Sequence, residues 1–238
     1  ATASLVQHAL GASRAGAFDL NAVCSGFLYA LATGSQFILN GVHQAVLVVG
    51  AEVFTRILDW QDRSTCVLFG DAAGAVVLQP TDAPGGLLSF SLGSDGAGAC
   101  NLYVPAGGSR RPTSAETVAG REHYVKMQGR EVFRFATRVV PESVLRALGQ
   151  AGLTPDDIDL LIPHQANVRI IDAAARRLKL APEAVFANVE RYGNTSAASI
   201  PVALCEAIDE GRVASGDTLV MTGFGAGLSW GTAVWKWH

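Results

Sequence analysis

Residues 17–31 read AFDLNAVCSGFLYAL. Phe18, Leu20 and Val23 suggest a short strand, whereas after Cys24 the residues Phe27, Leu28, Leu31, Ile38 and Leu39 recur at helical spacing. Cys24 therefore stands at the mouth of a buried helix. Packing alone would account for it, because free cysteine is among the most buried residue types. A helix N-terminus offers a second reading. Its unpaired N–H groups carry about half a positive charge, which lowers the pKa of a thiol placed there and favours the nucleophilic thiolate.

Outward from this junction, apolar runs bounded by glycine read as buried strands at 17–23, 45–51, 65–78, 159–164, 184–189, 217–224 and 231–237. Amphipathic helical patterns fall at about 25–40, 128–150, 166–180 and 196–211. Strands alternating with helices predict an α/β fold with mainly parallel sheets. The stretch 84–123, rich in Gly, Ser and Pro, reads as an insertion with little regular structure. It separates a first half, 1–83, from a second, 124–238.

The halves repeat one order of elements. In the first, Cys24 opens a helix, and NGVHQAVLVVGAE and FGDAAGAVVL follow. In the second, Asn194 opens NTSAASIPVALCEAIDEG, and GDTLVMTGFGAG and WGTAVWKW follow. A duplication would make Cys24 and Asn194 pseudo-symmetric partners, with two helix N-termini aimed at one site.

Composition narrows the function. At 49% hydrophobic and 16% charged, 238 residues can bury a substantial core. A net charge of −3 gives no basic surplus for nucleic acid, and no run of eighteen apolar residues predicts a membrane span. Cys24, Cys66, Cys100 and Cys205 lack CxxC spacing, which suits reduced thiols, and ATASLVQHAL lacks the pattern of a signal peptide. A cytoplasmic location is expected, with no metal site.

Two further stretches carry polar groups where α/β sheets place their sites, beyond the carboxyl ends of strands. IPHQANVRII sets His164 at the end of a buried strand, and RYGNTSAAS sets Asn194 in a glycine-led turn. Singly, His164 reads as a satisfied core histidine and Asn194 as an N-cap. Together with Cys24, each at a strand–helix junction, they read as one site. The glycines of TGFGAGLSWG lack the spacing of a dinucleotide fingerprint and precede a strand, so they suit close backbone approach instead.

The motifs AVCSGF, GDAAGAVVL, PHQANVRII, RYGNTSAASIP and GFGAGLSWG closely resemble the 3-oxoacyl-(acyl-carrier-protein) synthase III family of condensing enzymes, along essentially the whole chain. The resemblance implies a thiolase-like fold: two pseudo-symmetric α/β halves in a layered α/β/α/β/α arrangement, the first incomplete. It also implies a missing N-terminal segment and hence poor stability or weak CoA binding. Cys24, His164 and Asn194 would form the catalytic set. Cys24 would take a short acyl group from acyl-CoA, then condense it with malonyl-ACP, with loss of carbon dioxide, to start fatty-acid synthesis. Ala226 would complete an oxyanion hole and Phe224 an apolar wall. Arg63, Gly129, Phe133 and Asn167 would contact CoA and its pantetheine arm. Arg130, Arg134 and Arg138, four apart on one helix, with Arg169, Arg176 and Arg177, would dock the acidic carrier protein. No cofactor beyond these substrates is implied, and a homodimer is expected.

Three competing readings bear on the same residues. A biosynthetic thiolase needs a second cysteine near the C-terminal glycine turn, where GFGAG has none. A polyketide or other secondary-metabolite condensing enzyme would share the three residues but take another starter or acceptor. An inactive fragment kept as a dimerisation partner would have no need of all three.

Overall fold

Small residues at two turns let two helices start side by side in the middle of the molecule. The computed structural model describes residues 1–238. Its elements, in chain order, are α1 (Thr2–Ala9), α2 (Gly26–Leu39), β1 (Val46–Val53), β2 (Asp71–Leu78), β3 (Gly86–Ser94), β4 (Leu102–Tyr103), α3 (Ala115–Ala119), β5 (Lys126–Met127), α4 (Gly129–Gln150), β6 (Leu160–Pro163), α5 (Val168–Leu178), α6 (Val189–Tyr192), α7 (Ser199–Asp209), β7 (Thr218–Gly225) and β8 (Ser229–Lys236). Short 3-10 turns, Val23–Ser25 and Ser196–Ala198, lead into α2 and α7.

The two central helices bury apolar stripes. Phe27, Leu28 and Leu31 of α2 and Ile200, Ala203, Leu204 and Ala207 of α7 share one core with Val48, Leu78, Leu160, Ile162, Leu219 and Met221 from the strands. On one side lies the β1–β2 hairpin sheet; on the other lies a four-stranded sheet of order β3-β8-β7-β6. Beyond the second sheet, α4 and α5 close a further core around Val144, Leu148, Leu161, Leu178 and Val220. The sequence of layers is thus sheet, helices, sheet, helices. The α/β thiolase-like class is the expected one, but a fifth, outer helical layer is not formed over β1–β2. There Leu47, Val49, Val53 and Val77 are exposed, and α1 buries no residue. No helix is long and apolar enough to cross a membrane.

Five expectations are corrected. The sheets are mainly antiparallel, and only β6 and β7 run parallel. Residues 17–22 form no strand, because no neighbour offers a ladder; Phe18 is exposed. The run 184–189 makes one bridge, Val185 to Leu161, and then turns into α6. Within 65–78 only Asp71–Leu78 is a strand. The glycine-rich stretch 84–123 is more ordered than its composition suggests. Gly86–Ser94 is a nine-residue edge strand paired with β8, and Ser89 Oγ donates to the Ala147 carbonyl at 2.6 Å.

The repeat is real but shifted by three residues. Asn21 Oδ1 accepts the Val23 N–H at 3.1 Å, and Asn194 Oδ1 accepts the Ser196 N–H at 2.9 Å. Val23 and Ser196 then take left-handed φ values of 49° and 51°, and each opens a 3-10 turn that runs into a helix. Asn194 therefore matches Asn21, and Cys24 matches Ala197.

Candidate active site

Cys24 lies in the 3-10 turn before α2 and is only 2% exposed. Ser229 Oγ packs against this turn, 3.1 Å from the Ala22 carbonyl oxygen and 2.7 Å from Ser25 Oγ. On the other side Gly225 of β7 comes so close that an added Cβ would stand 2.7 Å from the Cys24 nitrogen. Only glycine permits that approach. Burial dominates the thiol's acidity and pushes its pKa up to about 11. The Ser196 hydroxyl pulls it down, and the negative charge of Glu52 adds to the rise. The expected lowering by the helix N-terminus is overruled, because the thiolate would lose its water.

His164 follows β6 and is 3% exposed. Burial alone lowers its pKa to about 3, so the imidazole is neutral. Its Nδ1 lies 2.6 Å from Ser199 Oγ, which also accepts the Gln165 N–H at 3.3 Å. The buried Ser199 proton finds its acceptor only at His164 Nδ1, which assigns the ring proton to Nε2. His164 is therefore a neutral donor with both nitrogens engaged or protonated. Phe224 packs its ring edge-on at 5.5 Å between centroids.

Asn194 enters on a loop that crosses the other half of the chain. Its N–H donates to the Leu68 carbonyl at 2.8 Å, and its carbonyl accepts the Gly70 N–H at 2.9 Å. At Gly70 an added Cβ would lie 2.2 Å from the Tyr192 carbonyl oxygen, so the crossing requires glycine. With Oδ1 held by Ser196, the Asn194 amide nitrogen keeps its two donors for a ligand.

The three groups converge through shared neighbours. Gly223 and Gly225 lie on the same face of β7, one beside the His164 Cβ and the other beside Cys24. Residues 194–199 meet both: Ser199 holds His164, and Ser196 faces Cys24. The chemistry available among these neighbours is a buried thiol, a neutral N–H donor and an amide donor. No three His, Cys, Asp or Glu side chains are grouped to hold a metal ion.

The remaining expected residues are dispersed. Gly129 and Phe133 line one open groove of about 460 Å³ with Arg130, Arg134 and Thr137. Asn167 caps α5, its Oδ1 accepting the Arg169 N–H at 2.9 Å and its amide nitrogen left over. Arg63 is exposed on a turn, and neither it nor Asn167 lines the groove. Ala226 is half-buried after β7, its carbonyl held by Ser229 Oγ at 3.0 Å. The arginine face is partly neutralised: Arg134 pairs with Glu131, and Arg138 and Arg177 pair with Glu142. Arg130, Arg169 and Arg176 have no such partner among the ion pairs.

Sequence reasoning gave no role to Ser199, Gln165, Ser196 or Glu52. The Gln165 side chain is 1% exposed and fully bonded: Oε1 accepts the N–H of Asn188 and Val189, and Nε2 donates to the carbonyls of Pro163 and Phe186. It thereby ties the His164 loop to the segment that leads to Asn194. The available signal for Glu52 was a lone carboxylate inside the apolar run VLVVGAEV.

Comparisons with known proteins agree along the chain. The family models of 3-oxoacyl-[acyl-carrier-protein] synthase III and of its C-terminal domain match residues 18–96 and 148–237. The beta-ketoacyl-[acyl-carrier-protein] synthase III of Symbiobacterium thermophilum is 59% identical over 237 residues, which is 100% of this chain and 72% of that protein. The solved synthase III of Thermus thermophilus is 48% identical with a TM-score of 0.90, over 100% of this chain and 72% of its own. The priming beta-ketosynthase of the R1128 polyketide pathway is 38% identical with a TM-score of 0.88, over 98% of this chain and 70% of its own.

Proposed function

The chain belongs to the 3-oxoacyl-[acyl-carrier-protein] synthase III family, and from that membership we propose that it is the acyltransferase that starts fatty-acid synthesis. Cys24 takes a short acyl group from acyl-CoA and releases CoA. Malonyl-ACP then loses carbon dioxide, and the carbanion left behind attacks the acyl-cysteine to give 3-oxoacyl-ACP and free Cys24. Splitting the reaction at an acyl-enzyme replaces one hard step with two easier ones.

The observation that carries this reading is a pair of fixed donors, His164 and Asn194, held by the same segments that pack on the Cys24 turn. His164 Nε2–H and the Asn194 amide are the groups that an enolate oxygen needs when carbon dioxide leaves. Neither must move a proton at that moment. Phe224 beside His164 offers an apolar wall that disfavours the malonyl carboxylate and favours its departure. Ala226 and the Cys24 N–H are assigned to the acyl oxygen, and Gly129, Phe133, Asn167 and Arg63 to CoA. No step needs a metal or an organic cofactor. A homodimer and a cytoplasmic location belong to the same reading; sedimentation and cell fractionation test them.

Incubation with acetyl-CoA and measurement of intact mass decides the first half-reaction. One acetyl group on Cys24, absent in Cys24→Ser, is the expected result. No adduct, or adducts mainly on Cys66, Cys100 or Cys205, would sink the assignment. The similarity to the R1128 enzyme keeps a polyketide starter as the second reading, which preference for longer or branched acyl-CoAs would favour.

A further inference from the structure

A resting thiol at pKa about 11 must give up its proton during acylation, and the obvious acceptor is occupied. His164 Nδ1 already accepts the Ser199 hydroxyl, and Nε2 already carries the ring proton. Glu52 is the alternative. It points from β1 toward the site, and Ser196 Oγ donates to its Oε1 at 3.1 Å across 144 residues of chain. The turn that Ser196 opens, with φ 51°, packs against the turn that holds Cys24, and the Ser196 hydroxyl acts on the Cys24 thiol.

We propose that Glu52, acting through Ser196, accepts the proton of Cys24 during acyl transfer. The S–H proton passes to Ser196 Oγ as the Ser196 O–H proton passes to Glu52 Oε1. The sulfur pair forms the C–S bond to the thioester carbon. CoA leaves as the thiolate and takes a proton from solvent. The Glu52 proton returns by the same path when condensation expels the Cys24 thiolate. The assignment rests on the acyl-enzyme reading above.

The surroundings support the role. Burial raises the Glu52 pKa, which makes it a stronger base than a surface carboxylate, while the Ser196 hydroxyl and the Ala197 N–H oppose that rise. No other charge competes. α2 and β7 contain no charged residue. Asp71 and Asp209 are exposed, Glu206 is taken by Asn188 and Arg191, and Lys236 donates to Thr218. His164 is neutral.

The test follows Cys24 acetylation by mass from pH 5 to pH 10, alongside malonyl-ACP decarboxylation. Wild type should be fastest with Glu52 ionised, its rate falling as pH drops through the raised Glu52 pKa and level above it. Glu52→Gln should lower acylation at pH 7 about 100-fold. Its rate should then climb about tenfold per pH unit, as a thiol ionised only by solvent requires. Ser196→Gly, compatible with the left-handed backbone, should show the same profile. In both variants acylation should fall at least about tenfold more than decarboxylation. Acylation by Glu52→Gln and Ser196→Gly at the wild-type rate and with the wild-type profile would overturn the proposal. So would equal losses in both half-reactions, which would make the pair merely structural. A wild type that takes no acetyl group would instead overturn the acyl-enzyme reading beneath it.

Discussion

At Cys24 two physical effects compete, and their sizes decide the outcome. A helix N-terminus favours an anion by about 0.3–1 kcal/mol, or ~2 at best. The rise of the thiol from 9.0 to about 11 corresponds to about 3 kcal/mol in the other direction. Desolvation wins, so the resting nucleophile is a thiol. The same burial keeps His164 neutral down to about pH 3. An unfolded chain takes up that proton near 6.5, so His164 costs stability as pH falls from 6.5 toward 3 and nothing above 6.5. The neutral form that the proposed donor role needs is accordingly present across the working range. His164→Ala or Asn194→Ala should slow malonyl-ACP decarboxylation about 10²–10³-fold while leaving Cys24 acylation within about tenfold. Rapid-quench measurement of the two half-reactions separates them. Equal losses would mean that His164 serves the thiol rather than the enolate.

At the scale of elements, the central parts were readable because their patterns carry strong signals. Ile200, Ala203, Leu204 and Ala207 follow the helical period, and Thr218–Gly225 is buried throughout, so its apolar run had no competing reading. Cys24, His164 and Asn194 could be found because each stands where such a pattern changes. The pieces that went unread depend on partners that the local sequence does not name. Gly86–Ser94 is a strand because β8 lies beside it, and residues 17–22 are not one because no strand pairs with them. Ser199 and Glu52 act through residues 35 and 144 positions away. The loop crossing at Asn194 is the element most sensitive to a single change. Gly70→Ala would force a Cβ against the Tyr192 carbonyl oxygen and should cost about 1–3 kcal/mol. It should shift Asn194 enough to depress decarboxylation. Thermal melting and the decarboxylation assay check both, and a variant unchanged in both would show that the loop can yield.

Across the whole molecule, charge is arranged unevenly on the α4 and α5 face. Arg138 and Arg177 share Glu142, whereas Arg130 and Arg169 are uncompensated and exposed. An acidic carrier protein should feel the second pair more. Arg130→Glu with Arg169→Glu should raise the carrier-protein KM about tenfold at low salt, and Arg138→Glu with Arg177→Glu much less. The difference should shrink in high salt as screening grows. Equal effects would assign docking elsewhere. The two halves also differ in what they ask of a single letter. Asn21 and Asn194 make the same turn with the same carbonyl oxygen. At position 21 that oxygen is the whole requirement, and aspartate spells it as well as asparagine. At position 194 the proposed function asks for the nitrogen on the other side of the carbon too, and the synonym would be lost. One spelling thus serves two grammars, one read by the backbone and one that the proposed function assigns to the substrate.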